Sequence, residues 1–290
     1  MKLSNKWKDY ELIDTGDGEK LERWGNIILR RPDPQAIWPK GKSRVWNDVH
    51  GHYHRSKKGG GKWEYHKKTP KNWEINYNKL KFIIEPTGFK HTGIFPEQAV
   101  NWDWMIEKIS RAKHKETIKV LNLFAYTGGA SVACASAGAH VTHIDAAKGM
   151  VKRAKENVHT SGLKDAPVRF IVDDVVKFIQ REIRRGNKYD GIIMDPPSFG
   201  RGPGGEVWKI EDTLFELIQL SQQVLSDDPL FFLINSYTAG FSPKVLENIL
   251  NISVGARFVG RVESGEIGIP CTSRKIVLPC GIYGRWESIE

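Results

Sequence analysis

Tyr189-Asp190-Gly191-Ile192-Ile193-Met194-Asp195-Pro196-Pro197-Ser198-Phe199 is the stretch on which the fold turns. An apolar run of strand character, Gly191–Met194, stops at an aspartate followed by two prolines. Proline lacks an N–H and holds φ at about −65°, so neither a sheet ladder nor a helix continues through the pair. What remains is a stiff loop at a strand's carboxyl end, bearing a carboxylate, backbone carbonyls and an aromatic ring. In open α/β sheets that is where ligands bind. Read alone, the same residues would also suit a strand and a proline-rich turn, so the neighbouring segments decide.

From Pro86 onward, short β-rich apolar runs alternate with helical spacing. Lys119–Phe124, Ala139–Ile144, Val168–Val172, Gly191–Met194 and Leu230–Ile234 read as strands. Ala130–Ala137, Ala147–Thr160, Val175–Arg185, Ile210–Leu225 and Ser242–Asn251 read as helices. Arg257–Val262 and Arg274–Cys280 read as late strands. Alternation of this kind predicts a parallel sheet covered on both faces, here a doubly wound core of seven strands.

The strand tips carry the chemistry. The first strand runs into Phe124-Ala125-Tyr126-Thr127-Gly128-Gly129-Ala130, where the glycine pair allows a sharp turn and close backbone approach to a ligand. The helix beginning there offers free amides and a positive dipole end to an anionic group. The spaced G-x-G-x-x-G of a dinucleotide enzyme is missing. The second strand ends at Asp145-Ala146, and a carboxylate there can accept both ribose hydroxyls of a nucleoside cofactor. The third ends in Asp173-Asp174, either of which can accept a bond from an adenine amine. Each acid could equally be a helix N-cap. Gly-Gly, Asp, Asp-Asp and Asp-Pro-Pro on four successive tips form a more specific set, one that fits S-adenosylmethionine beside a methyl-acceptor pocket.

Residues 1–85 read as a small β-rich domain and 86–290 as the larger one. Tyr10–Asp14, Lys20–Trp24, Asn26–Arg31, Lys62–His66, Asn72–Tyr77 and Leu80–Glu85 have strand character, with Asp17-Gly18 a hairpin turn. Between Lys40 and Lys79 the acids are Asp48, Glu64 and Glu74 amid many lysines. Lys57–Lys62 reads as a mobile loop. Trp63, Tyr65, Trp73 and Tyr77 among lysines suit single-stranded RNA, or equally an aromatic core with a solvated lysine face. His50-Gly51-His52-Tyr53-His54 places three imidazoles on one strand face. No cysteine or carboxylate lies beside them in sequence, so no metal is expected.

The 290 residues carry a formal net charge of +10, which favours a polyanionic partner. No apolar run approaches the roughly 20 residues of a membrane helix, and Met1–Asp9 lacks the apolar core of a secretory signal. Cys134, Cys271 and Cys280 are scattered, so a reducing compartment, the cytoplasm, is expected rather than a disulfide framework.

With these residues assembled, the chain resembles the class I S-adenosylmethionine-dependent methyltransferases, and among them a subgroup acting on 23S ribosomal RNA. The resemblance runs from about His91 onward. It rests on His91–Gln98, Leu121–Gly129, Val141–Asp145, Asp173-Asp174-Val175 and Met194–Phe199. It implies a Rossmann-like seven-stranded fold, S-adenosylmethionine as cofactor, and an RNA base as methyl acceptor. It implies that Thr92, Gly93 and Gln98 fold over the cofactor, with Phe124, Tyr126, Thr127, Gly128, Gly129 and Ala130 beneath it. Asp145 and Ala146 fall at the ribose, and Asp174, with Asp173 the alternative, at the adenine. Asp195, Pro196 and Phe199 fall at the acceptor, Asp195 bordering the cofactor too. Relatives that methylate cytosine carbon 5 carry a cysteine just after the fifth strand. Asn235-Ser236-Tyr237-Thr238 stands there instead, so a nitrogen acceptor is expected. Gly200–Gly205 reads as a flexible lid bearing one cation, or as an ordinary surface loop. A methyltransferase for proteins or small molecules, or a non-catalytic RNA-binding protein, would share much of this pattern.

Overall fold

The computed structural model describes the chain except for residues 43, 57–59, 89, 113–115, 202–206 and 290, with residue 201 described by its backbone. It divides into two compact units. One comprises Met1–Lys2, Val100–Ile267 and Gly281–Glu290, and the other Leu3–Ala99 and Gly268–Cys280. Residues 86–99, read above with the larger part, thus lie in the front unit, as does the segment 268–280.

In chain order the elements are β1 (Lys2–Leu3), β2 (Tyr10–Gly16), β3 (Glu19–Trp24), β4 (Ile27–Pro32), β5 (Gly51–Arg55), β6 (Gly61–Tyr65), β7 (Trp73–Tyr77), β8 (Leu80–Ile84) and α1 (Ala99–Arg111). There follow β9 (Lys119–Leu123), α2 (Gly129–Ser136), β10 (His140–Asp145), α3 (Lys148–Thr160), β11 (Val168–Val172), α4 (Val175–Arg185) and β12 (Gly191–Met194). The chain closes with β13 (Phe199–Arg201), β14 (Val207–Lys209), α5 (Ile210–Ser221), β15 (Phe231–Ser236), α6 (Pro243–Ile252), α7 (Val254–Arg257), β16 (Gly260–Pro270) and β17 (Val277–Ser288).

Among the described residues the large sheet has eight strands in the order β11-β10-β9-β12-β15-β17-β16-β1. The seven expected strands are all present, with the two-residue β1 added at the edge. The first five are parallel, and β17 runs antiparallel to β15. All residues of β12 and β15 are buried, as strands sandwiched between helix layers must be. Most helices bury a single stripe, whereas α2 is buried all round over Ser131–Ala135. In α4 the stripe is Val175, Phe178, Ile179 and Glu182, with Asp174 capping the start and Gly186, at φ +68°, ending it. Sequence order reverses between β9 and β12, which opens a crevice at the carboxyl ends of these strands. The last two strands begin and end later than expected. Residues 254–257 form a helical turn, and β16 is polar enough along most of its length to hide the strand pattern.

The front unit holds a five-stranded sheet, β2-β3-β4-β5-β6, and a separate hairpin, β7-β8. Its strands are antiparallel except for β4 beside β5. An ion pair lies inside it. Glu22 of β3 is fully buried and accepts two bonds from Arg31 of β4, at 2.7 and 2.8 Å, and one from the Tyr10 hydroxyl at 2.9 Å. The guanidinium also lies 5.4 Å from the Trp24 ring centre. Burial disfavours the charged form of Glu22. Arg31 and Lys20 beside it, with the bonds from Arg31 and Tyr10, outweigh burial and hold its pKa below the ordinary carboxylate value.

Removing this carboxylate strands a buried guanidinium. Glu22→Gln is expected to cost about 3–5 kcal/mol in urea unfolding. Because the folded-state pKa is depressed, the wild-type advantage is present above the unfolded carboxylate range and fades as pH falls through the lowered value. Unfolding curves of the two proteins that coincide at pH 7 would show that the pair contributes nothing.

Candidate active site

Strand register places the predicted residues on one level. Leu123 pairs with both Ile144 and Met194, and Asp145 pairs with Val172. The residues that follow, Phe124, Asp145, Asp195 and Asp173, therefore line the carboxyl edge on both sides of the switch point.

The turn after β9 is the most constrained part. Phe124 and Tyr126 hold φ of +53° and +51°, and Gly128 holds +82°. A left-handed non-glycine residue costs on the order of 1–3 kcal/mol, so its surroundings must fix it. They do so with hydrogen bonds. The Tyr126 N–H donates to Asp145 Oδ2 at 2.8 Å, and the Ala147 N–H donates to Oδ1 at 2.8 Å. Asn157 of α3 donates to the Thr127 carbonyl at 2.8 Å, and the Ala125 N–H to the Ile144 carbonyl at 3.0 Å. Each Asp145 oxygen takes one of these backbone N–H bonds, while an ionised carboxylate offers about four lone-pair sites. The carboxylate is half-buried and held in place by these two amides.

Gly128 and Gly129 are needed here chiefly for packing. A Cβ on Gly128 would lie 2.8 Å from the Ala154 methyl of α3, and one on Gly129 would lie 2.7 Å from the Trp102 ring of α1. They let α2 start flush against its neighbours, with its first amides lacking intrahelical acceptors. Thr127 is buried, Ala130 half-buried and Ala146 exposed. Beneath the turn lies a buried polar chain that the sequence did not reveal. Asn122 donates to Ser131 Oγ at 2.9 Å, and that oxygen lies 3.0 Å from His143 Nδ1. Burial pushes the His143 pKa down to about 4, so the ring is neutral.

Asp174 and Asp173 have structural duties. Asp174 caps α4 by accepting the Lys177 N–H at 2.9 Å. Asp173 accepts the Asp174 N–H and pairs with Arg181. Asp174 is exposed and Asp173 half-buried.

Along the Asp-Pro-Pro loop, Asp195 is half-buried, Pro196 buried, and Phe199 54% exposed. Trp208 of β14 donates its indole N–H to the Pro197 carbonyl at 2.6 Å, and its ring lies 5.6 Å from that of Phe124. Ser198 Oγ lies 2.7 Å from Thr238 Oγ1, and the Ser198 carbonyl accepts the Ile210 N–H at the start of α5. The expected lid, Gly200–Gly205, begins within β13, which pairs with β14, and its residues 202–205 lie outside the described residues.

At the end of β15, Asn235 and Ser236 are buried strand residues. Asn235 accepts from Asn101 Nδ2 at 2.8 Å, and Asn101 in turn accepts from buried Arg285. Burial pushes the Arg285 pKa down to about 10. All three thiols have pKa values raised, in each case chiefly by burial. None has the thiolate character of a nucleophile.

Thr92, Gly93 and Gln98 belong to the front unit and are described there. Thr92 is buried, and its hydroxyl has no hydrogen-bond partner among the described residues. Gly93 holds φ +114°, and a Cβ there would lie 2.9 Å from the Ile83 carbonyl. Gln98 is buried.

The turn's geometry makes a stability prediction. Gly128→Ala adds a methyl against Ala154 and forces alanine into the left-handed region. We expect a loss of about 2–4 kcal/mol from strain and overpacking together, read as a lowered denaturant midpoint. An unchanged midpoint would mean that the turn relaxes freely.

Comparison with known proteins gives the site a family. Residues 37–267 match the family model described as S-adenosylmethionine-dependent methyltransferase. The crystal structure of a SAM-dependent methyltransferase from Agrobacterium tumefaciens is 38% identical, covering 99% of this chain and 93% of that one, with a TM-score of 0.92. A putative methyltransferase crystallised with SAH shares the fold at a TM-score of 0.75 and 20% identity, covering 97% and 76%. Ribosomal RNA large subunit methyltransferase I of Klebsiella pneumoniae is 30% identical over 126 residues, 43% of this chain and 30% of the relative's length. The matched segment takes in most of the chain, the glycine turn, Asp145 and the Asp-Pro-Pro loop among it: the chain belongs to the family of S-adenosylmethionine-dependent methyltransferases.

Proposed function

We propose that the protein transfers a methyl group to a nitrogen of an RNA base, ribosomal RNA being the favoured substrate. The observation that carries this reading is the Asp195–Phe199 loop. It presents a half-buried carboxylate and an exposed phenyl ring from a backbone fixed by Trp208, Thr238 and Ile210. The cofactor, when bound, supplies a methyl group on a sulfonium already activated by its charge. The protein's task is then to position and desolvate, and no covalent enzyme intermediate is required.

Asp145 takes the ribose hydroxyls, and the α2 amides face the cofactor's carboxylate. Asp174, or Asp173, takes the adenine amine; Thr92, Gly93 and Gln98 of the front unit are assigned to the cofactor from the family resemblance. A buried hydroxyl such as that of Thr92, with no partner of its own, suits a polar ligand. Asp195 and the Pro196 carbonyl accept bonds from the acceptor's N–H groups, orienting the nitrogen lone pair, while Phe199 stacks on the base. A paired base must leave its stack to reach them. Nitrogen is favoured over cytosine carbon 5 because Asn235-Ser236-Tyr237-Thr238, at the end of the fifth strand where that chemistry needs a thiol, holds none, and burial raises the pKa of each of the three cysteines. RNA is favoured by the net charge of +10 and by the names of the curated relatives. Within the front unit, Tyr65 is 49% exposed and stacked 6.1 Å from Trp63. That pair is the proposed RNA-stacking surface. Tyr77 is buried, and the Trp73 indole is tied to the Trp24 carbonyl.

Isothermal titration with S-adenosylmethionine is expected to show at least a tenfold loss for Asp145→Ala, about 1.4 kcal/mol; undiminished affinity would remove the ribose role. For the acceptor loop, Asp195→Ala should abolish methylation of total RNA while the protein stays folded. Phe199→Ala should cost about 1–3 kcal/mol in RNA kcat/KM, the worth of one stacked base. Wild-type methylation rates in Asp195→Ala would overturn the assignment. Transfer to protein or small molecules, with none to RNA, would overturn the substrate class.

A further inference from the structure

We propose that His52, His54 and Glu64 of the front unit bind a divalent cation of the zinc type. Glu64 stands ten residues from His54 in sequence, and the β5–β6 hairpin brings the two together. His52 and His54 sit two residues apart on β5 and so share one face. Antiparallel pairing sets Glu64 directly opposite His52. The third imidazole of the run, His50, is turned to other work, its Nδ1 accepting the Ile28 N–H at 3.1 Å.

The geometry is close to what a metal requires. One ligand atom from each of the three residues lies within 4.8 Å of the others. His54 Nε2 is 2.8 Å from Glu64 Oε2, and the two imidazole centres are 3.9 Å apart. In a tetrahedral zinc site, with bonds of about 2.0–2.1 Å, neighbouring ligand atoms lie about 3.3 Å apart. That spacing lies within the bound that holds all three atoms, so the set needs only small side-chain adjustments to close on a cation. The residues are half-buried to exposed, which leaves the cation open to entry and room for solvent as fourth ligand. An outer partner is already in place. His52 Nε2 lies 2.8 Å from Glu19, itself paired to Arg30 and Lys40, the carboxylate–histidine arrangement that steadies metal-binding imidazoles. Imidazole and carboxylate donors with no thiol suit zinc and its neighbours better than softer ions. Lys62 pairs opposite His54 on the same face and opposes a cation. Affinity on the order of micromolar is therefore expected, about 8 kcal/mol.

The test is titration of the full chain, stripped with EDTA, with zinc chloride alone. One equivalent should bind, and zinc should raise the melting temperature. His54→Gln and Glu64→Gln, both at surface positions, should each weaken binding at least tenfold and remove the thermal shift. His140→Gln, which changes an exposed imidazole at the start of β10, should leave both unchanged. No zinc binding by the wild type would overturn the proposal, as would binding of equal strength in both site variants, which would locate the metal elsewhere.

Discussion

The carboxylate of Asp145 holds the turn after β9 in a shape that the turn's own residues disfavour. Phe124 and Tyr126 stand in the left-handed region, and the Tyr126 amide reaches Asp145 only because they do. The strain on one strand tip is thus offset by a charge-assisted bond from the next. Asn157 on α3 and the flush packing of Gly128 on Ala154 complete the restraint. A turn fixed this way presents its amides without having to order itself on binding, and preorganisation of that kind is where affinity is gained.

The Asp-Pro-Pro loop follows the same logic with different chemistry. Two prolines remove backbone freedom, and three polar contacts fix what freedom is left. Trp208 takes part in both halves, its ring beside Phe124 and its N–H on Pro197. The fifth strand adds a buried amide–guanidinium network, Asn235–Asn101–Arg285, in place of a reactive group.

Much of this was legible from residues alone. Apolar runs bounded by helical spacing gave the parallel sheet, and the acids at successive tips fall along its carboxyl edge, because both signals are local. What was hidden depends on distant partners. Gly129 reads as room for a ligand, yet the atoms that forbid a side chain there belong to Trp102 on a helix not evident in the pattern. Positive φ at Phe124 and Tyr126 has no compositional mark, since neither is glycine or asparagine. Asp174 has a cap's geometry whatever else it binds. Glu64 meets His52 and His54 only through hairpin register, which spacing along the chain does not reveal. The late strands were displaced because β16 buries few residues until its end.

The front unit is not continuous in sequence. Thr272 and Ser273 donate their N–H groups to the Leu12 and Ile13 carbonyls, covering the β2 edge of the five-stranded sheet. Arg274 reaches Asp14, which also accepts the Trp46 indole and the Gly41 N–H. During synthesis these partners emerge some 260 residues after the strand they complete. Until then β2 is an unprotected edge, so the front sheet forms early but is finished among the last parts of the protein. Closing contacts at such separation is slow, a cost that the larger parallel sheet, itself built from non-local pairings, also bears.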